Sequence, residues 1–386
     1  MKEDTKLAHA GRDPHAHHGA VNPPVYHAST ILFPTMEGYV NRAESDVKVR
    51  YGRRGTPTSF ALEDALSALE DGAGTVLTPS GLQAITMALM SCVKSGDHVL
   101  VTDSTYAPTR NFCNNVLADL GIEAEFYDPQ IGNGIAKLMR PNTRLVWTES
   151  PGSQTFDVQD IPAIAAAAHE AGALVMMDNT WSGGYYFKPL AHGVDMSVHA
   201  ATKYVVGHSD VMLGAIICNE KTYEQVSARA GLFGNHAGPD DIYLALRGLR
   251  TMGVRMPRHF ENSLKIANWL LERPEVARVL YPALPNDPGH TLWQRDFTGA
   301  SGLFGYVLNT GDQKKVAAML DGLQLFGMGS SWGGYESLMT PTWPERNRTA
   351  SEWAVEGQTI RIHVGLEDPE DLIADLDAGF DRLNKA

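Results

Sequence analysis

In the run SVHAATKYVVGHSD, Lys203 follows Thr202 and stands between an apolar stretch and a Gly-His turn. Lysine is seldom buried without a partner, and burial lowers its pKa toward the range where the free amine acts as nucleophile and base. A stem lying along a surface loop is the ordinary alternative for any isolated lysine. Asp178 closes ALVMMD and precedes Asn179-Thr180-Trp181, so a carboxylate stands at a strand end. Such an acid commonly forms a turn, but it can also hold a proton on a heterocyclic nitrogen. Ser80-Gly81-Leu82-Gln83 opens a helix whose unpaired N–H groups and dipole would hold a phosphate, and Gly81 lets the anion approach. Singly these are common features; together they supply an amine, a ring-nitrogen acid and an anion cradle.

The elements that must position them are legible in the chain. From Pro57, apolar Leu62, Leu66 and Leu69 recur at helical spacing behind Thr58 or Ser59 and before glycines. A strand over Thr75 to Thr78 leads through Pro79-Ser80-Gly81 into a helix and then a strand over His98 to Thr102. Leu145 to Thr148 reads as a strand, DIPAIAAAAHEAG as a helix, ALVMMD as a strand ending at Asp178, and two more strands fall near Asp195 to Val198 and Val211 to Cys218. Apolar strands alternating with helices predict an α/β fold with a mostly parallel sheet covered on both faces. Beyond about residue 240 comes a long helical stretch, then shorter strands such as GLFGYVL and TIRIHVG. The expected division is an N-terminal arm (1–55), a large domain (56–240) and a smaller α/β C-terminal domain (241–386).

The 386 residues carry 32 basic against 45 acidic side chains, a formal charge of -13, which argues against a nucleic-acid binder. Cys92, Cys113 and Cys218 lie far apart with no CxxC, so neither a zinc site nor a disulfide framework is expected. No apolar run reaches the ~18 residues of a membrane helix, and a cytoplasmic protein is the expectation.

Lys203, Asp178 and the Ser80-Gly81 turn are together what pyridoxal phosphate requires of a protein. SVHAATKYVVGHSD, with MMDNTW before it and SSWGGYESL and IRIHVGLED after it, resembles the Cys/Met-metabolism family of fold-type I pyridoxal-phosphate enzymes. The likeness runs from AVNPPVYHAST to DLIADLDAGF and includes YGRRGTPT, ESPGS and RDFTGASGLF. It implies that Lys203 forms the Schiff base with the cofactor, Asp178 pairs with the pyridine nitrogen and Tyr106 stacks on the ring. Gly81, Leu82 and Thr202 would hold the phosphate, with Tyr51 and Arg53 arriving from a neighbouring subunit. Arg361 would clamp the substrate α-carboxylate, and Ser331 and Trp332 would line the same pocket. Lys203, Tyr106 and Tyr51 are the candidate catalytic groups. A shared site implies a homo-oligomer, expected as a dimer of dimers.

Ala200-Ala201 before Thr202, and Ser153 in ESPGS, resemble the β-lyase branch, whereas Ser330 stands where the best-known β-lyases have tyrosine and γ-acting relatives an acid. The implied reaction is β-elimination from L-cystathionine to homocysteine, pyruvate and ammonia. The alternatives are a γ-acting relative or a broader cysteine-S-conjugate β-lyase. Two readings of other classes remain to be tested. Gly329-Ser330-Ser331-Trp332-Gly333 matches GxSxG, which would make Ser331 a hydrolase nucleophile. His15, His17 and His18 could bind a metal, although no acid or cysteine cluster supports them; no metal site is expected.

Overall fold

The structure is a computed structural model and describes residues 1–42 and 47–386. Strands β1 (Gly74–Thr78), β2 (His98–Thr102), β3 (Glu123–Tyr127), β4 (Thr143–Glu149), β5 (Leu174–Asp178), β6 (Met196–His199) and β7 (Gly214–Cys218) form one sheet in the order β1-β7-β6-β5-β4-β2-β3. The pairs β2–β3, β2–β4, β4–β5 and β5–β6 are parallel, and β7 is antiparallel to both β6 and β1. Every strand except β7 therefore points the same way, and their carboxyl ends collect along one edge. β1, β2 and β7 are buried at every position, which accounts for apolar residues in succession rather than in alternation.

Helices Gly81–Cys92 and Tyr223–Leu232 cover one face through Ala84, Ala88 and Val226. Helix Pro57–Glu70 covers part of the other with Leu62, Leu66 and Leu69, each side chain contributing roughly 1.5–3 kcal/mol by leaving water. Its cap is Thr56 rather than Thr58 or Ser59. Pro57 occupies the first turn, and Ser59 closes a capping box by accepting the Thr56 N–H at 3.1 Å. Helix Pro239–Leu249 lies across the expected boundary at 240 and packs Ile242, Leu246 and Leu249 into this same cluster.

A second sheet, β10-β11-β9-β8, is antiparallel throughout and comprises β8 (Val276–Leu280), β9 (Leu303–Leu308), β10 (Leu338–Thr342) and β11 (Thr359–His363). Val146 and Val175 of the first sheet share one core with Phe304 and Ile360 of the second. The long helical stretch is two helices, Pro239–Leu249 and Met252–Leu271.

Strand β3 was not anticipated: it is an edge strand whose Glu123 is exposed and whose only buried residue is Tyr127. The N-terminal segment also divides. Helix Glu3–His9 docks on its own chain, where Arg250 donates to the Leu7 and Ala10 carbonyls and Lys188 pairs with Glu3. Leu32, Met36, Tyr39 and Val40, by contrast, are exposed.

Candidate active site

A cavity of about 590 Å³ opens at the carboxyl edge of the first sheet and is closed from above by β11 and the loop before β10. Lys203, Asp178, Tyr106, Gly81, Leu82, Thr202, Arg361, Ser331 and Trp332 all line it, as do Glu149, Ser153 and Ser330. Lys203 sits in the turn after β6. Its Nζ donates to Ser331 Oγ at 2.6 Å and lies 5.3 Å from the Trp332 ring centre. Desolvation first, and then the Arg361 charge, pull its pKa down to about 8 against the opposing pull of Asp178. The loop can come this close because Gly333 has φ +86°, and a Cβ there would stand 3.0 Å from Lys203 Cα.

Asp178 ends β5 and Glu149 ends β4, opposite one another in register. The Thr180 N–H donates to Asp178 Oδ1 at 3.0 Å. Glu149 Oε2 accepts the Tyr106 N–H at 2.7 Å and the Thr105 hydroxyl at 3.2 Å. Burial, and then the neighbouring Asp178, push Glu149 well above the usual carboxylate range. Burial also raises Asp178, but Thr180, His199 and Lys203 work against it. Both acids are thus raised, Glu149 the more strongly. Glu149 was visible within ESPGS, but its role depends on a strand register that only the fold supplies.

Ser80 caps helix Gly81–Cys92 by accepting the Gln83 N–H at 3.2 Å, which leaves the Gly81 and Leu82 N–H groups without an intrahelical acceptor. A Cβ on Gly81 would lie 2.4 Å from Ala200 Cβ, so only glycine lets the helix start meet the lysine turn. Thr202 Oγ1 accepts the Leu213 N–H at 2.9 Å and donates to the Leu213 carbonyl at 3.1 Å, pinning that turn. Arg361, in mid-strand on β11, donates to the Gly329 and Ser331 carbonyls at 3.1 and 3.3 Å, and burial lowers its pKa.

Tyr51 and Arg53 are not brought to this cavity within one chain. Tyr51 is half exposed, and Arg53 lines a separate cleft of about 520 Å³, where it donates to the Gly231 carbonyl at 3.0 Å. The hydrolase reading fails on geometry. Residues 329–334 form a loop rather than a strand-to-helix elbow, and His363 Nε2 lies against the backbone of Gly333 and Gly334, while Ser331 faces Lys203. Among the described residues no three His, Cys, Asp or Glu side chains converge as a metal would require, His15, His17 and His18 included. None of their helices is long and apolar enough to cross a membrane.

Residues 4–381 match the model of the Cys/Met metabolism PLP-dependent enzymes. The chain belongs to this family. A protein of Rhizobium johnstonii is 52% identical over 98% of this chain and 95% of its own. Cystathionine β-lyase MetC of Escherichia coli is 47% identical over 99% of each chain. The crystal structure of metB from Corynebacterium glutamicum superposes with a TM-score of 0.92 at 31% identity, covering 99% of this chain and 98% of that one. The fold is thus that of the family's pyridoxal-phosphate enzymes.

The residues present fit the family's cofactor. A half-buried carboxylate at a strand end, with no cationic side chain bonded to it among the described residues, suits a protonated ring nitrogen. A lysine of lowered pKa suits an aldehyde, and a helix start held open by Gly81 suits a phosphate.

Proposed function

We propose that this protein is a carbon–sulfur lyase that cleaves L-cystathionine by β-elimination, giving homocysteine, pyruvate and ammonia. Support comes from the similarity to the Escherichia coli enzyme and above all from one contact: Lys203 Nζ on Ser331 Oγ, in the cavity that Arg361 and Asp178 share. Bound pyridoxal phosphate supplies an aldehyde for the substrate amine and a ring that accepts the electron pair released at Cα. Asp178 holds the proton on the ring nitrogen. Gly81, Leu82 and Thr202 hold the phosphate. Arg361 grips the α-carboxylate with its planar fork, exchanging its carbonyl partners for the substrate.

Lys203, with a pKa of about 8, is partly a free amine near neutral pH and takes the Cα proton. Ser331 orients that amine, and the protonated Lys203 then delivers its proton to the departing sulfur. Tyr106 flanks the ring from the turn that Glu149 anchors, and its phenol, whose pKa burial raises, stays a proton donor. Trp332 and Ser330 border the side chain of the substrate. Water completes the reaction by releasing pyruvate and ammonia.

Tyr51 and Arg53 act in the site of a neighbouring subunit. Their distance from the cavity of their own chain and the exposed Leu32, Met36, Tyr39 and Val40 support this. The protein is on this reading a homotetramer, a dimer of dimers, working in the cytoplasm. The expected boundary at 240 moves past helix Pro239–Leu249, which packs with the cofactor domain, and the remaining C-terminal residues form the smaller domain. Product analysis tests the activity: pyruvate and homocysteine in equal amounts are expected from cystathionine, whereas cysteine and 2-oxobutyrate would replace this reading with a γ-acting enzyme.

A further inference from the structure

Glu70 closes helix Pro57–Glu70 after Leu62, Leu66 and Leu69, and only 1% of it is exposed. A carboxylate in such a place is costly unless it is paired and hydrogen-bonded. Its partners lie at the two strand ends around Asp178. Oε1 meets His199 Nε2 at the end of β6 and accepts from Asn179 Nδ2, just past β5, at 3.3 Å. Oε2 has no hydrogen-bond partner among the described residues. Burial pushes this carboxyl up, but His199, Ser197 and Lys188 outweigh it and hold it below the usual range. Gly184, at φ +70°, leaves room for the acid, since a Cβ there would stand 2.4 Å from Oε1.

Asn179, held by Glu70, is the chain neighbour of Asp178, and Ala200, the residue after His199, leads to Asp178 through hydrogen bonds at Thr180. The Asn179 N–H donates to the Val198 carbonyl at 2.9 Å, and Asn179 Oδ1 accepts from Ser182 Oγ at 2.7 Å. The Ala200 N–H donates to Thr180 Oγ1 at 2.9 Å, and the Thr180 N–H donates to Asp178. None of Glu70, Asn179 and His199 lines the cavity. We infer that Glu70 and His199 are positioning residues for Asp178, a buried pair that sets where its carboxylate meets the cofactor ring. This rests on reading Asp178 as the partner of the ring nitrogen.

Glu70→Gln keeps the length and one acceptor oxygen but removes the charge; His199→Gln removes the imidazole. In both holoenzymes the near-visible absorption maximum of bound pyridoxal phosphate should shift, and the cofactor should be lost on dialysis about tenfold faster. The kcat should fall while KM changes by less than about twofold. A pair with a merely structural role would lower Tm and leave band and retention as in the parent, which overturns the inference. Should Glu70→Gln not fold, His199→Gln gives the same readouts. Asp178→Asn separates the layers. If it leaves band and retention unchanged, the ring-partner reading falls and this one with it; if it alters both while the pair variants do not, only the positioning pair is rejected.

Discussion

The two sheets bring different things to one cavity. In the first, parallel strands deliver their carboxyl ends to one edge, so Glu149, Asp178 and the lysine turn arrive there as neighbours from distant parts of the chain. In the second, an antiparallel sheet has no such edge, and it lends Arg361 from mid-strand and Ser331 and Trp332 from a loop. On the proposed function the parallel layer presents the reacting amine and the ring-nitrogen acid, while the antiparallel one lends Arg361 to the substrate and Ser331 to the amine. Lys203 joins them, since its Nζ bonds across to Ser331.

That division can be broken at three places. Lys203→Ala removes the amine that the parallel layer exists to present and should cost at least about 10⁴-fold in kcat, with loss of the near-visible absorption band. In the cofactor-stripped wild type, incubation with pyridoxal phosphate followed by borohydride should label the Lys203 peptide. Yield should rise with pH through about 8, because the unprotonated amine reacts and burial has lowered its pKa to that value. A label on another lysine would end the assignment.

Arg361→Lys keeps the charge but not the fork. It should cost about 30–100-fold in kcat/KM with the absorption band unchanged. A lost band would show that the antiparallel layer also holds cofactor. Smallest is Ser331→Ala, where one hydrogen bond to Lys203 disappears; about a tenfold fall in kcat is expected, with KM within about twofold. A larger effect on KM would move Ser331 from orienting the amine to gripping substrate.

Much of this was legible in the chain because it is local. The cap at Ser80, the glycine after it, the acid closing an apolar strand and the lysine behind Thr202 each follow from near neighbours. Strand β3 was not legible, since an edge strand with exposed Glu123 and half-buried neighbours lacks the apolar run that marked the others. Nor was the docking of helix Glu3–His9, which hangs on Arg250 far along the chain. Glu70 and His199 are 129 positions apart, and no spacing rule joins them.

The sequence by itself determined the alternation of strands and helices, the family and the candidates for reactive groups, since backbone preference and side-chain chemistry are properties of short stretches. Only the tertiary structure decided which acid burial raises more, how far the lysine pKa falls, and that Tyr51 and Arg53 lie away from the cavity of their own chain. Those depend on desolvation and on distances between charges, which exist only once the sheets have packed together.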